Sequence, residues 1–404
     1  MSNKLLNSLQ LKGFLSFAPK SEAVGLTNLN VLIGPNGVGK SNFIEAIELL
    51  RATPADFSGV IRLGGKPSDW IWHGGKGATA ARIESLLAPV NKTPELRYAL
   101  EFTDSGGRLE IADEVLEEAT KADRSKKDVR FYYRFQRGNP AINVNETIVS
   151  GKGLRLPYKQ RKLKRESIDP QQSILSQRKD PDQYPELTAT AKRFGDIQIF
   201  REWGFGRSAA LRAPQPSDLP TDALLPQLVN LGLVLNDLEN RNEWGRFNEL
   251  MQKFLPRFKR LTTRVFAGSV QVNLLEDGLS APIPATRLSD GTLRFLALLA
   301  ILLNPQSATM ICIEEPELGL HPDGISLLAE LLTEAAQETQ LIVTTHSDVL
   351  VSALTEQAES VLVCDYLENG TTLYRLETEK LDLWLKDYRL GDIWRSGKVG
   401  GNLW

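Results

Sequence analysis

Three short, largely apolar runs along the chain are each followed directly by a different kind of polar group. The run Leu29–Ile33 precedes a glycine-rich loop, residues 310–313 precede two glutamates, and residues 341–345 precede a histidine. Because their hydrophobicity is continuous rather than alternating, these runs predict strands that are covered on both faces, as in a parallel sheet. Helical spacing of apolar residues follows the first run, from residue 43 to residue 50. We therefore expect an α/β core.

Alternating apolar and polar residues predict a second region of antiparallel strands. Residues 81–87 and 96–102 have this pattern, and Ser105-Gly106-Gly107 after them is typical of a hairpin turn. Residues 129–135 and 142–149 have the same pattern around Gly138-Asn139-Pro140. Residues 197–200 and 264–275 predict further strands, and residues 224–258 have helical spacing.

We expect a main domain at residues 1–372 and a tail at residues 373–404. The core is expected at residues 1–52 and 285–372, with an inserted β lobe and a helical lobe at about residues 53–284. The tail contains three tryptophans, which either pack on the chain's own core or dock a partner protein; they are Trp384, Trp394 and Trp404.

Composition narrows the class of protein. The 404 residues are 42% apolar and 24% charged, which is typical of a globular protein, and the net charge of −2 gives no overall basic field for nucleic acid. Residues 1–17 lack a secretory pattern, and the longest apolar run, residues 295–303, is shorter than a membrane helix. We expect a cytoplasmic protein without a membrane segment. Cys312 and Cys364 lie in apolar runs and predict buried, reduced thiols, and the lack of a CxxC pair argues against a zinc site.

Residues 34–41, Gly-Pro-Asn-Gly-Val-Gly-Lys-Ser, fit the phosphate-binding pattern G-x-x-x-x-G-K-[ST]. A strand before and a helix after are the context that this motif requires. Glycines let the backbone N–H groups point at phosphate oxygens, and the helix start adds its dipole. Lys40 is expected to reach the β- and γ-phosphates, and the Ser41 hydroxyl to hold Mg²⁺. We expect contacts to ATP from Asn36, Gly37, Gly39, Lys40, Ser41 and Asn42. The residues at 9–17 predict a small sheet over the nucleotide base.

Three later segments supply the remaining chemistry. Ser289 is a natural N-cap for the helix that follows it, and such a helix start binds anions. Glu314 and Glu315 end the second buried strand; Glu314 is expected to hold Mg²⁺ and Glu315 to polarise the attacking water. His346, at the end of the third strand, is expected to contact the γ-phosphate or the water. Taken alone, each feature is also typical of an ordinary capped helix, a solvated strand end or a structural histidine.

In this order the motifs resemble those of the ATP-binding-cassette superfamily, in its SMC/RecF-like branch. The phosphate loop is similar to Walker A and residues 310–315 to Walker B; residues 288–292, Leu-Ser-Asp-Gly-Thr, are similar to the signature motif, residues 317–321 to the D-loop and His346 to the switch histidine. The combination looks most like the "AAA family" predicted ATPases related to the overcoming-lysogenization-defect nucleases. The resemblance implies an ABC/SMC-type ATPase head in which two copies pack head-to-tail around ATP, so that Ser289 and Gly291 serve the partner's nucleotide.

The sequence also departs from this family. No glutamine occurs between Ser41 and Arg134, so the Q-loop residue is not identified, and His73 is one candidate for its place. Glu314 replaces the usual Walker B aspartate, and Asp290 and Thr292 replace Gly and Gln in the signature, which argues against a transporter subunit. The 58 residues after His346 are too few for the Toprim domain of the related nucleases.

The resemblance therefore implies an ATP- and Mg²⁺-dependent ATPase, dimeric or larger, that controls or scaffolds a separately encoded nuclease or toxin, with anti-phage defence as the expected role. A RecF-type DNA repair or tethering ATPase and an ATP-binding scaffold with little turnover stay open. The DNA alternative depends on a run of basic residues without an acid, a pattern that is more typical of a solvated surface than of a phosphate contact. The run comprises Lys152, Arg155, Lys159, Arg161, Lys162, Lys164 and Arg165.

Overall fold

The computed structural model describes residues 4–75, 77–90, 93–120, 129–136, 138–144, 159–201, 203–304, 308–367, 370–377, 381 and 384–400. Lys152 and Arg155 of the basic run, residues 145–149 of a predicted strand, and Trp404 lie outside these residues.

The strands are β1 (Leu6–Lys12), β2 (Val24–Gly25), β3 (Leu29–Ile33), β4 (Ala80–Leu87), β5 (Leu96–Asp104), β6 (Leu109–Glu118), β7 (Phe131–Gln136), β8 (Asn139–Val144), β9 (Lys159–Lys162), β10 (Ile197–Phe200), β11 (Gln215–Pro216), β12 (Phe258–Phe266), β13 (Ser269–Glu276), β14 (Ile283–Pro284), β15 (Met310–Glu314), β16 (Gln340–Thr344), β17 (Val361–Leu367) and β18 (Gly370–Arg375). The helices are α1 (Lys40–Ala52), α2 (Phe57–Leu63), α3 (Ile174–Gln177), α4 (Pro185–Gly195), α5 (Leu231–Leu238), α6 (Trp244–Phe254), α7 (Asp290–Leu302), α8 (Pro322–Ala335), α9 (Asp348–Ala353) and α10 (Leu390–Arg395).

A mainly parallel sheet carries the predicted motifs. Its strand order is β10-β15-β16-β3-β17-β18, and only the last strand runs antiparallel to its neighbour. Side chains alternate between its two faces, so Ile311 and Ile313 enter one hydrophobic core while Met310 and Cys312 enter the other. Both faces are therefore covered, as the continuous apolar runs predict. Cys312 and Cys364 are buried and free, as expected.

The antiparallel lobe is a single eight-stranded sheet in the order β2-β1-β4-β5-β6-β7-β8-β9. The prediction of a separate small sheet formed by the first strands is wrong, because β1 pairs with β4 along its length and so joins the lobe. The predicted hairpins are confirmed: β5 pairs with β6 and β7 with β8, both antiparallel. The core of this lobe is continuous with the face of the parallel sheet that α1 covers.

The helical lobe lies on the opposite face of the parallel sheet. Helices α5 and α6 pack with α7 and α8 in one core, beside the small sheet β11-β13-β12. The predicted helical stretch is shorter than expected, because residues 224–230 are irregular and Leu228 has a positive φ of 59°. Between the two lobes in the sequence, β10 forms the edge of the parallel sheet, where it pairs with β15.

The described part of the tail packs on the head. Leu390, Ile393 and Trp394 of α10 are buried, whereas Trp384 is 41% exposed. Gly391 lies so close to α9 that a Cβ atom there would come within 2.1 Å of the Asp348 carbonyl oxygen. Of the two alternatives for the tail, Trp394 follows the first and packs on its own core. Among the described residues, no helix is both long and apolar enough to cross a membrane.

Candidate functional site

The phosphate loop links β3 to α1. Gly34, Gly37 and Gly39 have φ values of 146°, 79° and 107°, which side chains with a Cβ rarely adopt. Lys40 is the first residue of α1 and is buried, and its ammonium group donates to the Gly34 carbonyl at 2.7 Å and the Pro35 carbonyl at 2.8 Å. Burial lowers the pKa of Lys40, and the nearby carboxylates of Glu315 and Glu314 oppose that shift.

Two hydroxyl groups brace the loop from outside. The Thr371 hydroxyl, on β18, donates to the Val38 carbonyl at 2.7 Å, and its oxygen lies within hydrogen-bond distance of the Ser16 hydroxyl, at 2.6 Å. Asn42 Nδ2 also donates to Ser16 Oγ, at 2.8 Å. A Cβ at Gly39 would come within 2.4 Å of Thr371 Oγ1, so only glycine allows this close packing. The phosphate loop is therefore held by one residue from near the start of the chain, Ser16, and one from near its end, Thr371.

Glu314, the last residue of β15, lies beside the start of α1. Its Oε2 is 3.5 Å from Arg201 Nε, and its side chain is 17% exposed. Burial raises the pKa of Glu314, while Arg201 and the Ser41 side chain beside it lower the pKa. Its Oε1 is buried and has no hydrogen-bond partner among the described residues.

The unpartnered Glu314 Oε1 is a candidate ligand for the expected Mg²⁺ ion. A buried carboxylate oxygen without a donor is costly, and a divalent cation would satisfy it. Ser41, the exposed first-turn residue, provides a hydroxyl next to the same carboxylate. Oxygen donors of this kind are what Mg²⁺ prefers. The residues present therefore fit a Mg²⁺ ion held by Ser41 and Glu314.

Glu315 has a left-handed backbone conformation, with φ of 45°. Its N–H donates to the Thr344 carbonyl at 3.0 Å, which ties it to the end of β16. Its Oε1 lies 3.4 Å from Nε2 of His346, and both side chains are 35% exposed. Burial lowers the pKa of His346, the Lys40 charge lowers it further, and Glu315 opposes the shift. The imidazole is therefore neutral near pH 7, with one ring nitrogen facing the carboxylate of Glu315.

The Glu317 carboxylate holds the chain at Thr345 and His346 by hydrogen bonds. Its Oε1 accepts hydrogen bonds from the Thr345 hydroxyl and, at 3.2 Å, from the His346 backbone N–H. Burial raises the pKa of Glu317, which is only 7% exposed. This contact fixes the backbone at the end of β16, where His346 leaves the sheet.

The signature segment caps α7. Ser289 is its N-cap, as predicted, and its Oγ accepts from the Thr292 N–H at 3.1 Å. A Cβ at Gly291 would come within 2.9 Å of the Gly319 carbonyl oxygen, so this turn packs on the segment after Glu317. The buried Arg212 contacts Asp290 and donates to the Leu288 carbonyl at 2.7 Å. The signature turn is thus held by contacts with Gly319 and Arg212 of its own chain.

The parallel sheet brings together most of the predicted residues, because its parallel strands end at one edge. Lys40 and Ser41 follow β3, Glu314 ends β15 with Glu315 directly after it, and His346 follows β16. Asn36 and Gly37 are exposed on the outer side of the loop. His73 is exposed, and its neighbour Trp72 packs beside Gly370 at the start of β18.

Sequence reasoning missed three side chains at this edge. Arg201, just after β10, contacts Glu45 at 3.2 Å, Glu48 at 3.1 Å and Glu314. Trp203 donates from its indole N–H to the Glu314 carbonyl at 2.9 Å, and Arg294 donates to the Glu315 carbonyl at 3.3 Å. No motif marks these residues; the one signal was the strand at residues 197–200, whose end places Arg201 and Trp203 beside Glu314.

The fold of this chain is that of SMC head domains. The chain is similar to a crystal structure of an Smc head bound to the C-winged helix domain of ScpA, with a TM-score of 0.57 and 16% identity over 93% of this chain and 99% of that one. It is also similar to an Smc head with an extended coiled coil, bound to the C-terminal domain of ScpA and derived from Pyrococcus furiosus. That match has a TM-score of 0.55 and 14% identity, over 95% of this chain and 99% of that one.

The chain belongs to the family described as "AAA domain, putative AbiEii toxin, Type IV TA system", whose model matches residues 29–352. Two curated sequences match shorter segments. Chromosome partition protein Smc of Clostridium kluyveri (strain NBRC 12016) is 38% identical over 69 residues, 17% of this chain and 6% of that protein. Old nuclease of Escherichia phage P2 is 38% identical over 78 residues, 19% of this chain and 13% of that protein. The matches thus span only a small part of either relative. The resemblance to SMC-like ATPases and the α/β fold class predicted from the sequence are confirmed.

Proposed function

We propose that this chain binds ATP with Mg²⁺ and hydrolyses it to ADP and phosphate. The observation that carries the proposal is the meeting of three groups at one sheet edge: the glycine loop with Lys40, the unpartnered carboxylate oxygen of Glu314 beside Ser41, and the Glu315–His346 pair. A phosphate cradle, a cation site and a base next to a neutral imidazole are what phosphoryl transfer to water requires.

Each residue has a proposed role. The backbone N–H groups of the loop and the Lys40 ammonium bind phosphate oxygens, and Asn36, Gly37, Gly39 and Asn42 shape the loop around them. Mg²⁺ held by Ser41 and Glu314 would neutralise charge on the phosphate oxygens. Glu315 orients the attacking water and accepts its proton, and His346 donates a hydrogen bond to the γ-phosphate.

We further propose that ATP joins two copies of the chain. Ser289 caps α7, and Gly291, in its first turn, packs on Gly319 of the same chain. A helix start with free N–H groups is suited to an anion supplied by another molecule. In this arrangement each nucleotide contacts the loop of one copy and the helix start of the other, and hydrolysis releases the pair.

The proposed biological role is control or scaffolding of a separately encoded effector, a nuclease or a toxin, in defence against phage. The similarity to Old nuclease of a phage and the family description, which names a toxin, support this role. The matched Smc heads are bound to ScpA, a separate protein, which supports a protein partner for this chain as well.

The test of the ATPase is the variant Glu315→Gln. Without the carboxylate, hydrolysis should fall by about 10²-fold or more, because the base is lost while ATP binding is kept. The variant should then accumulate as an ATP-bound dimer. Phosphate release and size-exclusion chromatography with multi-angle light scattering, with and without ATP, measure both effects.

The matched control is Glu239→Gln, an exposed glutamate at the end of α5. This variant should hydrolyse ATP at the wild-type rate and dimerise only transiently. Wild-type hydrolysis in Glu315→Gln would contradict the role of Glu315, and a wild-type chain that binds ATP without turnover would point to the scaffold alternative.

A DNA-tethering ATPase is the second candidate. The exposed residues Arg161, Lys162 and Lys164 lie on and after β9, which is the edge strand of the large sheet, whereas Arg165 pairs with Glu110 at 3.2 Å. Exposed cations on one edge suit contact with a phosphate backbone. Binding of duplex DNA by the purified chain that weakens steeply with added salt would favour this candidate.

A further inference from the structure

Two side chains from different elements hold the backbone of the acid pair. Trp203 follows β10 and donates to the carbonyl of Glu314, and Arg294 lies on α7 and donates to the carbonyl of Glu315. Neither bond belongs to the sheet or to a helix. The backbone carbonyl groups of Glu314 and Glu315 thus each accept a hydrogen bond from a side chain outside β15.

The two donors also contact each other. The Arg294 guanidinium lies 5.1 Å from the ring centre of Trp203 and 4.8 Å from that of Phe205. The two rings are nearly parallel, at an interplanar angle of 14° and a centroid distance of 5.8 Å. Cation–π contacts of a buried guanidinium are favourable and restrict its position. Arg294 is only 9% exposed, so its direction is set by this packing.

The backbone of Glu315 has a strained conformation that the surrounding residues must stabilise. Glu315 adopts φ of 45°, a left-handed conformation that is unfavourable for a residue with a Cβ. Such strain persists only where the surroundings impose it. The Thr344 carbonyl accepts from the N–H of Glu315, and the carbonyl oxygen of Glu315 accepts from the Arg294 side chain and from the Leu318 N–H at 3.2 Å. Both sides of the strained residue are therefore fixed.

We propose that Trp203 and Arg294 form a positioning clamp for Glu315, an inference that depends on the proposed ATPase function. The clamp keeps the Glu315 carboxylate aimed at the attacking water and beside His346. Because Arg294 lies on the helix whose first turn carries Ser289 and Gly291, the clamp also joins the signature helix to the chain's own base. Trp203 and Arg294 are positioning residues, since neither is placed against the nucleotide.

The test uses the full-length chain with Trp203→Phe, which keeps the ring and removes the N–H donor, and with Arg294→Lys and Arg294→Met. A small misplacement of a catalytic group lowers turnover strongly. We expect kcat to fall about 3–10-fold in Trp203→Phe, about 10-fold in Arg294→Lys and about 10–100-fold in Arg294→Met, while KM for ATP stays within about twofold. The double variant should lose less than the product of the single effects, because the two side chains act as a unit.

Matched controls come from the same residue types elsewhere. Trp244→Phe changes a half-buried tryptophan that is stacked on Phe247, and Arg193→Lys changes an arginine that donates to the Ala88 carbonyl at 3.0 Å. Both controls should keep kcat unchanged. A parallel fall of kcat in the controls, or a loss of ATP affinity together with kcat in the clamp variants, would overturn the proposal.

A second measurement needs no nucleotide. Hydrogen exchange followed by mass spectrometry should show about 10-fold faster exchange of a peptide covering residues 314–320 in Arg294→Met, with residues 258–276 unchanged. Unchanged exchange in that peptide, or faster exchange throughout the chain, would refute the clamp. If the wild-type chain hydrolysed no ATP, the proposed function would fail, and the exchange measurement would still decide on the clamp.

Discussion

At the scale of single residues, the backbone of Glu315 carries the sharpest physical signature of the site. Strain concentrates where function requires an unusual geometry, and here the strained residue is the candidate base itself. Its left-handed conformation turns the chain out of β15, so that the Glu314 and Glu315 side chains do not simply alternate between the faces of the sheet. One carboxylate then lies beside Ser41 and the other beside His346.

Alanine usually stabilises a folded chain more than glycine does. Because of the strain at Glu315, we expect the reverse order at this position. Glu315→Gly should be more stable than Glu315→Ala by about 1 kcal/mol, because glycine adopts a positive φ without the Cβ penalty. Chemical denaturation of the two variants, followed by circular dichroism, measures the difference in free energy of unfolding.

The control pair is Glu239→Gly and Glu239→Ala, at a residue with φ of −57°. There alanine should be the more stable of the two, since helical geometry favours it over glycine. Equal stability of the two Glu315 variants would mean that the backbone relaxes away from the left-handed conformation.

At the scale of elements, one buried carboxyl group joins α3 to the large sheet. Glu114 of β6 accepts hydrogen bonds from the Tyr98 hydroxyl at 2.8 Å and from the Ile174 N–H at 2.9 Å, and the Ser173 hydroxyl also donates to it. The carboxyl group is 2% exposed. Burial raises the pKa of Glu114 to about 7, against the opposing effect of these hydrogen bonds.

The raised pKa makes the stability of this lobe depend on pH. Since the folded pKa lies above the unfolded value, the group's stabilising contribution is complete below about pH 4.5 and is lost as the pH rises towards 7 and above. Glu114→Gln, which cannot ionise, should remove this dependence. Relative to the wild type, the variant should gain stability between pH 5 and pH 8, by up to about 3 kcal/mol.

Urea denaturation of both proteins at several pH values measures the effect, with Glu239→Gln as the exposed control. If the free energy of unfolding changed with pH in the same way in the wild type and in Glu114→Gln, Glu114 would have the same pKa in the folded and unfolded chain, and the prediction would be wrong.

At the scale of the whole molecule, the proposed site is divided between two copies. A Lys40→Ala chain keeps its signature helix, and a Ser289→Arg chain keeps its phosphate loop. Each alone should hydrolyse ATP poorly, but their equimolar mixture should recover about a quarter of wild-type turnover, because half of the dimers contain one intact composite site out of two. Phosphate release by the mixture, compared with each variant alone, measures the recovery.

The control is a mixture of Lys40→Ala with Glu315→Gln, which together leave no intact site, because Lys40 and Glu315 belong to the same half. Recovery in that mixture, or full activity of Ser289→Arg alone, would contradict a composite site.

The sequence was sufficient for features that are coded locally. The phosphate loop, the N-cap Ser289 and the acid pair at the end of β15 each follow from residue types at fixed spacing, and the continuous apolar runs indicated a sheet covered on both faces. Long-range pairings could not be predicted in this way. The pairing of β1 with β4 and of β10 with β15 depends on the whole topology, so the extent of the large sheet and the place of β10 at the edge of the parallel sheet were missed.

The same limit applied to side chains without a motif. Arg294 and Trp203 are separated by many residues in sequence and meet only because α7 packs beside the end of β10. The tail illustrates the limit again. Nothing in the local sequence distinguishes Trp384 from Trp394. Trp384 is nevertheless exposed and Trp394 is buried, because α10 packs on α9 with close contact at Gly391.

The brace from Thr371 to the phosphate loop has a consequence for biosynthesis. The bonded residues, Thr371 and Val38, are 333 positions apart, so the loop leaves the ribosome long before the hydroxyl that steadies it. During most of translation the nascent chain carries an unsupported loop and the open edge of a sheet that still awaits β15, β16 and β17. We therefore expect the proposed ATP binding only after β18 has been synthesised and Thr371 can hold the loop.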